Sequence, residues 1–451
     1  MKLLWLLFAL PLVTVDSKVA AADFKAGFGR INITPTQPIY LSGYAARKKP
    51  SEGVLQKIWA KALAIEDAKG NRAVIVTTDL IGLPRPVADR VGAEVEKRYR
   101  LRRSQLVLNS SHTHSGPVVH GNLTSMFELT PDQRRAITDY TQALALQLAD
   151  VVGAALGDLQ PARLDIGHGV GTFAINRRQV TASGVKIGLN PSGPVNQDIP
   201  VIRVSGLNGQ LRGVLFGYAC HNTTLGADMF NVNGDYAGFA QAAFEAAHPN
   251  STAMFLMLTG ADANPNPRGT VALAEQHGAS LATEVDRVLS GKLEALSGPL
   301  RSAFQLTELA FVPHTRETFE TESKDPNWFK QQRAATMLAA YDRRAPVRSV
   351  AYPVQGIRLG KSLTLVALGG EVVVDYALRI QKEYPGEHLI VAGYSNDVMC
   401  YIPSLRVLKE GGYEANESMI YYGQPGPFAE DVEDRLMKTV SSIMTRIGRK
   451  R

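Results

Sequence analysis

The sequence has little cysteine and no visible internal divisions. Only two of its 451 residues are cysteines, and it contains no repeat, no proline- or serine-rich linker and no long block of one charge. Two cysteines are too few for the disulfide framework of a small exported protein. Without linkers or repeats, the sequence excludes a solenoid and offers no boundary between domains. A hydrophobic content of 45% with 40 glycines and 24 prolines is typical of a loop-rich globular protein and excludes disorder.

The sequence also lacks an apolar run long enough to span a membrane. At the N-terminus, Lys2 precedes an apolar run over residues 3–13, and small residues follow at 19–22. The run is too short to cross a hydrocarbon core of about 30 Å, and its flanks are typical of a secretory signal peptide. We therefore expect a signal peptide over residues 1–22, one domain over residues 23–451, and an exported protein in the periplasm or outside the cell.

The formal net charge of +7 raises the question of an anionic partner. Basic residues cluster at residues 47–49, 97–103 and 449–451, but the clusters lack the repeated aromatic residues that stack on bases. We expect a solvated basic surface and no nucleic-acid partner. A weak attraction to an anionic membrane surface is the alternative. No feature of the sequence predicts an obligate protein partner.

Short apolar runs that end abruptly in small or polar residues are the most regular pattern in the chain. Such runs predict strands buried on both faces, and several are followed by helical periodicity. The runs lie at residues 106–108, 213–219, 253–258, 363–368 and 389–392, and the helical segments at 237–247, 272–289 and 372–383. The alternation predicts an α/β fold with a mixed, largely buried β-sheet core covered by helices. Ligands in such folds bind beyond the carboxyl ends of the strands, so we expect the active site there.

Other segments predict helices outside this core. The amphipathic stretches at residues 87–99 and 131–157 are typical of outer helices. Residues 311–347 are rich in charge and include Trp328 and Phe329. This segment predicts a helical excursion that borders a pocket.

Histidines and a carboxylate follow three of the apolar runs. Residues two apart in extended backbone point to the same side, so His112 and His114 can address one ion, or one ion and its substrate. His221 follows the second run and Glu371 the fourth. Each has an ordinary alternative, as a hydrogen-bonded structural histidine or as a carboxylate favoured at a helix N-terminus. Together, two imidazoles and a carboxylate form a zinc ligand set that leaves a coordination position open for water.

Several motifs occur in a fixed order along the chain. The most specific is the His-Thr-His-Ser-Gly-Pro segment at residues 112–117. The others, in chain order, are residues 27–35, Gly43-Tyr44-Ala45, Asn176-Arg177, His221, Gly234-Asp235, residues 262–265, Gly370-Glu371 and Ser395-Asn396. With these motifs the sequence resembles the N-terminal catalytic domain of the neutral/alkaline non-lysosomal ceramidases, over nearly all of residues 23–451.

The resemblance implies a zinc hydrolase that acts on linear amides, with one zinc ion per chain. The implied metal ligands are His112, His221, Glu371 and Tyr401. His114 would contact the substrate or handle a proton, Arg177 would orient the polar part of the substrate, and Tyr413 would donate a hydrogen bond to the reacting carbonyl. Tyrosine is an unusual ligand because its free pKa is about 10. The divalent ion is what would make a phenolate available.

The sequence departs from the family pattern at Asn264. Well-known members have a serine there that is thought to take part in catalysis, whereas this chain reads Asp-Ala-Asn-Pro over residues 262–265. Asn264 cannot be a nucleophile, but it can hold water or stabilise an oxyanion. We therefore favour attack by a zinc-activated water. The alternative is that Asn264 only ends a strand with turn chemistry before Pro265. A second departure concerns length. Characterised ceramidases typically have a C-terminal immunoglobulin-like domain, and we expect none after this catalytic domain.

The cysteines gain meaning from the same resemblance. Cys220 precedes His221 and Cys400 precedes Tyr401. If His221 and Tyr401 meet at one ion, the two sulfurs are near enough for a disulfide behind the site. Two separate buried thiols are the alternative.

The leading functional hypothesis is an exported zinc-dependent amidohydrolase that cleaves the N-acyl bond of ceramide-like lipids to a fatty acid and a sphingoid amine. Because fold and metal do not fix the substrate, a zinc hydrolase of the same scaffold acting on another amide or ester is one alternative. An exported protein with a structural zinc ion and no catalysis is another. The expected partners are an N-acyl lipid substrate and, at the periphery, a membrane surface.

Overall fold

The computed structural model describes residues 23–451. The signal peptide predicted over residues 1–22 lies outside the described residues and stays a prediction. Within residues 23–451, none of the helices has both the length and the apolar character needed to cross a membrane.

Strands and helices alternate through most of the described chain. The strands are β1 (Phe24–Asn32), β2 (Gly53–Val54), β3 (Trp59–Asp67), β4 (Arg72–Thr78), β5 (Leu106–Ser110), β6 (Gln160–Val170), β7 (Ala174–Thr181), β8 (Gly184–Asn190), β9 (Asp198–Gly206), β10 (Leu211–Tyr218), β11 (Asn231–Val232), β12 (Thr252–Met257), β13 (Ala263–Pro265), β14 (Glu294–Ala295), β15 (Leu300–Ala310), β16 (Ser349–Leu359), β17 (Leu363–Leu368), β18 (Glu371–Val372), β19 (His388–Ala392) and β20 (Tyr401–Ile402). The helices are α1 (Arg85–Tyr99), α2 (Pro131–Gly157), α3 (Asp235–Ala247), α4 (Val271–Ser290), α5 (Arg316–Glu322), α6 (Trp328–Asp342), α7 (Asp375–Glu383), α8 (Leu405–Glu410), α9 (Met419–Tyr422) and α10 (Val432–Arg446). A π-helical turn spans Tyr413–Glu417.

The larger sheet is mixed. Its strand order is β12-β10-β9-β6-β1-β3-β4-β5, and β14 also pairs with β6. The outermost pairs, β10 with β12 and β4 with β5, are parallel, and the pairs between them are antiparallel. A parallel pair needs a crossover connection, which α3 and α1 supply. The five antiparallel pairs between the edges make β5 run opposite to β10 and β12. The ends of these strands are joined by contacts instead, since Nδ2 of Asn109 donates to the carbonyl oxygen of Met257 at 3.1 Å and Thr113 forms a β-bridge with Asn222.

A second, four-stranded sheet packs against the first. Its order is β15-β16-β17-β19, with β17 and β19 parallel and connected by α7. Leu63 and Ile65 of β3 share one apolar cluster with Leu365 of β17 and Ile390 of β19. The two inner faces therefore form a common core between the sheets.

Helices cover the outer face of each sheet. The clusters on the outer face of the larger sheet contain residues of α1 and α2 at one end and of α3 and α4 at the other, while α7 and α10 cover the smaller sheet. In β3, Ala62 and Ala64 face the helices, opposite to Leu63 and Ile65, because side chains alternate along a strand. At Gly29 an added Cβ would lie 2.5 Å from a carbonyl oxygen of α2, so glycine lets the helix approach.

The predicted α/β fold, with a mixed and largely buried sheet core covered by helices, is confirmed. Each of the five apolar runs coincides with a strand to within one residue at its end, and the helices predicted at residues 87–99 and 131–157 correspond to α1 and α2. The segment predicted as a helical excursion contains α5 and α6. Its expected position at the border of a pocket is not confirmed, because none of its residues lines the cavity described below; Phe329 packs against one lining residue, Tyr421, with 5.0 Å between the ring centroids.

Candidate metal centre

Four side chains from separate strand ends meet where the two sheets adjoin. His112 follows β5 and His221 follows β10, both in the larger sheet. Glu371 begins β18, just after β17 of the smaller sheet, and pairs in a short parallel ladder with Tyr401 at the start of β20. The four predicted ligands are thus brought together from positions up to 289 residues apart (112 to 401).

The donor atoms of these side chains converge. The Oε2 atom of Glu371 lies 3.0 Å from Nε2 of His112 and 3.0 Å from Nε2 of His221. The phenol oxygen of Tyr401 lies 3.2 Å from Nε2 of His221. Ligand atoms about 2.0–2.1 Å from a tetrahedral zinc ion are separated by roughly 3.3 Å. The observed spacing therefore fits a zinc ion with little rearrangement, and all four side chains are buried. The position between the donor atoms of His112, His221, Glu371 and Tyr401 is called the metal point below.

Backbone carbonyls orient both imidazoles toward this point. The Nδ1 atom of His112 lies 2.6 Å from the carbonyl oxygen of Ile81, and Nδ1 of His221 lies 2.9 Å from that of Gly260. A carbonyl only accepts hydrogen bonds, so each Nδ1 carries the proton and each Nε2 presents its lone pair. Burial, followed by the charge of Arg177, lowers the pKa of His221 to about 4, which keeps it a neutral ligand.

The carboxylate between the imidazoles is held in its ionised form. Burial alone would raise the pKa of Glu371, but the adjacent His112 and His221 outweigh it and hold that pKa well below its usual range. The hydroxyl of Tyr422 donates a hydrogen bond to Oε1 of Glu371, which leaves Oε2 for the metal point. Tyr422 had no role in the sequence-based hypothesis.

His114 lies beside the four predicted ligands. Its Nε2 atom is 3.2 Å from Nε2 of His112, and its buried Nδ1 has no hydrogen-bond partner among residues 23–451. The donor nitrogens of His112, His114 and His221 all lie within 4.8 Å of one another. The reasoning from extended backbone was wrong in detail, because His112 has a left-handed φ of 64°. A turn, rather than strand alternation, brings the two rings together.

Arg177 connects the metal point to a second group of predicted residues. Its Nη2 lies 2.9 Å from the phenol oxygen of Tyr401, and its Nη1 lies 3.3 Å from Oδ1 of Asn264. The ring of Tyr413 is edge-on to that of Tyr401, with 5.4 Å between centroids. Burial is the main cause that raises the pKa of Tyr413, so its hydroxyl stays protonated.

Asn264 does not merely end a strand. It is the middle residue of β13, which pairs with β7 through Ile175. Its Oδ1 accepts hydrogen bonds from Arg177 and, at 3.3 Å, from the hydroxyl of Thr223. The side chain therefore faces Arg177 and the predicted metal ligands.

Glu414 is a buried residue of this site that the sequence-based reasoning missed. Its Oε1 lies 2.7 Å from Nε of Arg177, and its Oε2 lies 2.7 Å from Nη1 of Arg178. Burial would raise its pKa, but the two guanidinium groups lower it. Its neighbour Tyr413 and the consecutive arginines are the only sequence signals that pointed to it. Because Glu414 lies far from Arg177 and Arg178 in the sequence, their pairing could be found only in the fold.

Arg47 corrects the expectation of a solvated basic cluster at residues 47–49. It is only 1% exposed, and its guanidinium donates hydrogen bonds to the carbonyl oxygens of Ser42, His114 and Met229. Because an arginine presents five donors, this one side chain can hold three loops around His114.

The hypothesis of a disulfide is also corrected. Cys220 and Cys400 are both free and buried. They pack in different apolar clusters, Cys220 on the outer face of the larger sheet and Cys400 on that of the smaller sheet. Neighbouring residues in extended backbone point to opposite sides, so the sulfurs point away from the site that His221 and Tyr401 enter.

A cavity of about 270 Å³ opens beside the metal point. It is lined by Gly43, Tyr44, Ala45, His114, Met126, Arg177, Ile187, Thr223, Asn264, Arg268, Tyr401, Tyr413 and Tyr421. The predicted residues His114, Arg177, Asn264 and Tyr413 all reach it, and Tyr401 belongs to both the cavity and the metal point. A small substrate group in this cavity would therefore lie next to the predicted metal ligands.

A family model described as neutral/alkaline non-lysosomal ceramidase, N-terminal, matches residues 24–288, more than half of the chain. The chain belongs to this ceramidase family. Among curated relatives, the neutral ceramidase of Pseudomonas aeruginosa is 26% identical over 251 residues, which are 53% of this chain and 36% of the relative. The neutral ceramidase of Drosophila pseudoobscura pseudoobscura is 35% identical over 104 residues, 22% of this chain and 14% of the relative. The chain thus matches well under half the length of these ceramidases.

Solved ceramidase structures share the fold. The crystal structure of neutral ceramidase from Pseudomonas aeruginosa superposes with a TM-score of 0.72 at 18% identity, covering 94% of this chain and 75% of that one. A structure described as ceramidase complexed with C2 gives a TM-score of 0.73 with the same identity and coverage. At this identity the likeness establishes the ceramidase fold for nearly the whole of residues 23–451, and the chemistry has to be argued from the site.

Proposed function

We propose that the chain is an exported zinc-dependent amidohydrolase that cleaves the N-acyl bond of ceramide-like lipids. The observation that carries the proposal is the Glu371 carboxylate placed between two imidazoles whose Nε2 lone pairs face it. Ceramidase family membership supports the reaction class. Export depends on the signal peptide predicted over residues 1–22.

His112, His221, Glu371 and Tyr401 are the residues that would hold one zinc ion. Such an ion lowers the pKa of water towards about 7 and polarises an amide carbonyl. Burial raises the pKa of Tyr401, and the guanidinium of Arg177 opposes that rise. Arg177 would therefore help Tyr401 to act as a phenolate.

The remaining residues supply positioning and proton transfer. Burial, followed by His112 and His221, holds the pKa of His114 well below 6.5, so it is neutral at neutral pH and can accept the proton of an attacking water. Tyr413 can donate a hydrogen bond to the carbonyl oxygen as it gains negative charge. The C–N bond then breaks, and the proton passes from His114 to the departing amine. The products are a carboxylic acid and an amine.

Contact with a membrane surface is part of the proposal. Val180, Ile187 and Leu189 on the β7–β8 hairpin are 74%, 51% and 55% exposed. Ile187 also lines the cavity. Exposed apolar side chains beside a site for N-acyl lipids favour contact with a lipid surface.

A zinc hydrolase of the same scaffold that acts on another amide is the second candidate. Asn264 favours it, because a different residue at the cavity wall changes the contacts of the reacting group. Both candidates require an exchangeable water and hydrolysis, whereas a structural zinc site requires neither.

The test is metal analysis of the purified protein together with fatty-acid release from a panel of ceramides and other N-acyl amides. We expect about one zinc per chain and release from ceramide in micelles or phospholipid vesicles. His112→Ala and Glu371→Ala should lose both zinc and activity, whereas His120→Ala, an exposed histidine outside the site, should lose neither. Activity on short amides alone would reject the ceramide assignment. Bound zinc without hydrolysis of any amide would reject the proposed amidohydrolase activity.

A further inference from the structure

The cavity beside the metal point is positively charged. Its lining includes two guanidinium groups, those of Arg177 and Arg268, and none of the lining residues within 23–451 is an aspartate or glutamate. The charge of Arg177 is balanced by its salt bridge to Glu414. Arg268 is the residue whose charge is left facing the cavity.

Arg268 has no carboxylate partner in the part of the chain that the structure describes. Its one side-chain hydrogen bond is a weak one, 3.4 Å from Nη2 to the hydroxyl of Tyr44. The nearby carboxylate of Asp235 already accepts hydrogen bonds from the backbone amides of Thr224 and Leu225. The exposed guanidinium of Arg268 is therefore free to bind an anion.

The backbone around Arg268 is fixed on both sides. The amide of Asn266 donates to the carbonyl oxygen of Phe173 at 2.8 Å, and the amide of Gly269 donates to that of Thr224 at 2.7 Å. The Nε2 atom of His277 lies 2.7 Å from the carbonyl oxygen of Pro267. The charge thus stands on an ordered loop at the cavity wall, which is the condition for selective recognition rather than loose attraction.

We propose that the preferred substrate is an N-acyl amide with a carboxylate on its amine portion, such as an N-acyl amino acid, and that Arg268 binds this carboxylate. The inference rests on the amidohydrolase part of the proposed function and, for the substrate, favours the second candidate, an amide other than ceramide. A fatty acyl chain carries no charge, so the anion must lie on the amine side of the scissile bond. Arg binds carboxylates through paired N–H donors.

The size and the apolar part of the cavity agree with this substrate. About 270 Å³ is at or below the small end of ligand pockets, which span roughly 300–1,000 Å³. An amino-acid portion fits that space better than a long sphingoid base. Ala45, Met126 and Ile187 are placed to contact the first part of an acyl chain, and the rest would extend across the exposed hairpin.

The experiment compares two substrates with the same acyl chain and an amine portion of similar size, N-dodecanoylglycine, which ends in a carboxylate, and N-dodecanoylethanolamine, which ends in a neutral hydroxyl. With zinc-loaded protein, we expect kcat/KM to favour the glycine conjugate by about tenfold, as a charge-assisted hydrogen bond predicts. Arg268→Gln should reduce that ratio about tenfold. Arg163→Gln, an exposed arginine on β6 outside the cavity, should leave the ratio unchanged. The preference should also weaken with added salt.

Calorimetric titration of both conjugates supplies a second readout that needs no turnover. Tighter binding of the glycine conjugate, lost in Arg268→Gln, together with its hydrolysis supports the inference. The same binding without hydrolysis overturns the conjugate as a substrate, and the amidase itself is rejected only if ceramide is not cleaved either. Equal binding and equal kcat/KM for the two conjugates overturns the inference. If ceramide is cleaved in that case, the proposed function stands without the inference about a carboxylate-bearing substrate.

Discussion

A single buried carboxylate organises the polar half of the site. Glu414 binds Arg177 with one oxygen and Arg178 with the other, and Arg177 reaches Tyr401 and Asn264. Arg177 can hold this position only while its charge is balanced, because an unpaired buried ion is strongly unfavourable. Glu414 therefore acts on the metal point through Arg177, as a positioning residue.

We expect Glu414→Gln to lower kcat/KM for amide hydrolysis at least tenfold while zinc is still bound. Removing one partner of a buried ion pair costs about 3–5 kcal/mol, so the melting temperature should fall as well. Glu410→Gln is the matched control, because Glu410 also pairs with Arg178 but is 33% exposed and does not contact Arg177. Enzyme kinetics, metal analysis and calorimetry measure the three effects. An unchanged kcat/KM in Glu414→Gln would exclude the positioning role.

Residues of this site differ in how far the sequence could predict them. His112, His221 and Glu371 follow apolar strands, and that position is itself a signal for a binding site. Tyr401 had no such signal, and only the family resemblance pointed to it. Glu414 and Tyr422 could not be found from sequence, because their partners Arg177 and Glu371 are distant along the chain. Pairings of this kind depend on tertiary packing alone.

The π-helical turn Tyr413–Glu417 is the element that places Tyr413 and Glu414 together. Two glycines precede it, Gly411 with φ 74° and Gly412 with φ 83°, both at values that favour glycine. They differ in their surroundings. An added Cβ at Gly412 would lie 2.8 Å from the carbonyl oxygen of Val185 on β8, whereas nothing lies within 4 Å at Gly411. Gly412 therefore fixes how the turn packs against the hairpin.

Gly412→Ala should accordingly impair the enzyme more than Gly411→Ala. Both substitutions carry the backbone cost of a positive φ, roughly 1–3 kcal/mol, so the comparison isolates the contact with Val185. We expect a larger loss of melting temperature and of kcat/KM in Gly412→Ala, since a displaced turn moves Tyr413 away from the cavity. Equal losses in the two variants would show that backbone conformation alone matters there.

Local elements were predicted well, and their arrangement in layers was not. The pattern of residues 131–157 gave the bounds of α2, and the run at 363–368 gave those of β17. The second sheet escaped prediction, because a run buried between a sheet and helices looks the same as one buried between two sheets. Strands such as β15 carry mixed polar and apolar residues, which further hid the second sheet.

At the scale of the whole molecule, the metal point joins the two sheets. Two of its residues, His112 and His221, extend from the larger sheet, and Glu371 and Tyr401 lie beyond the smaller one. The sheets otherwise meet mainly through apolar side chains of their inner faces. An ion bound by both groups would therefore cross-link the molecule and stabilise the native state over the unfolded chain.

Zinc should consequently raise the melting temperature of the whole domain in a single transition. A ligand that binds only the native state adds about 2.7 kcal/mol at roughly one hundred times its Kd. We expect chelator-treated protein to melt several degrees lower and to recover when zinc is restored, with differential scanning calorimetry as the measurement. His112→Ala should melt at the same temperature with and without zinc, whereas His120→Ala should respond like the parent protein. A shift that persists in His112→Ala would mean that zinc stabilises the protein from another site, and the cross-link between the sheets would have to be abandoned.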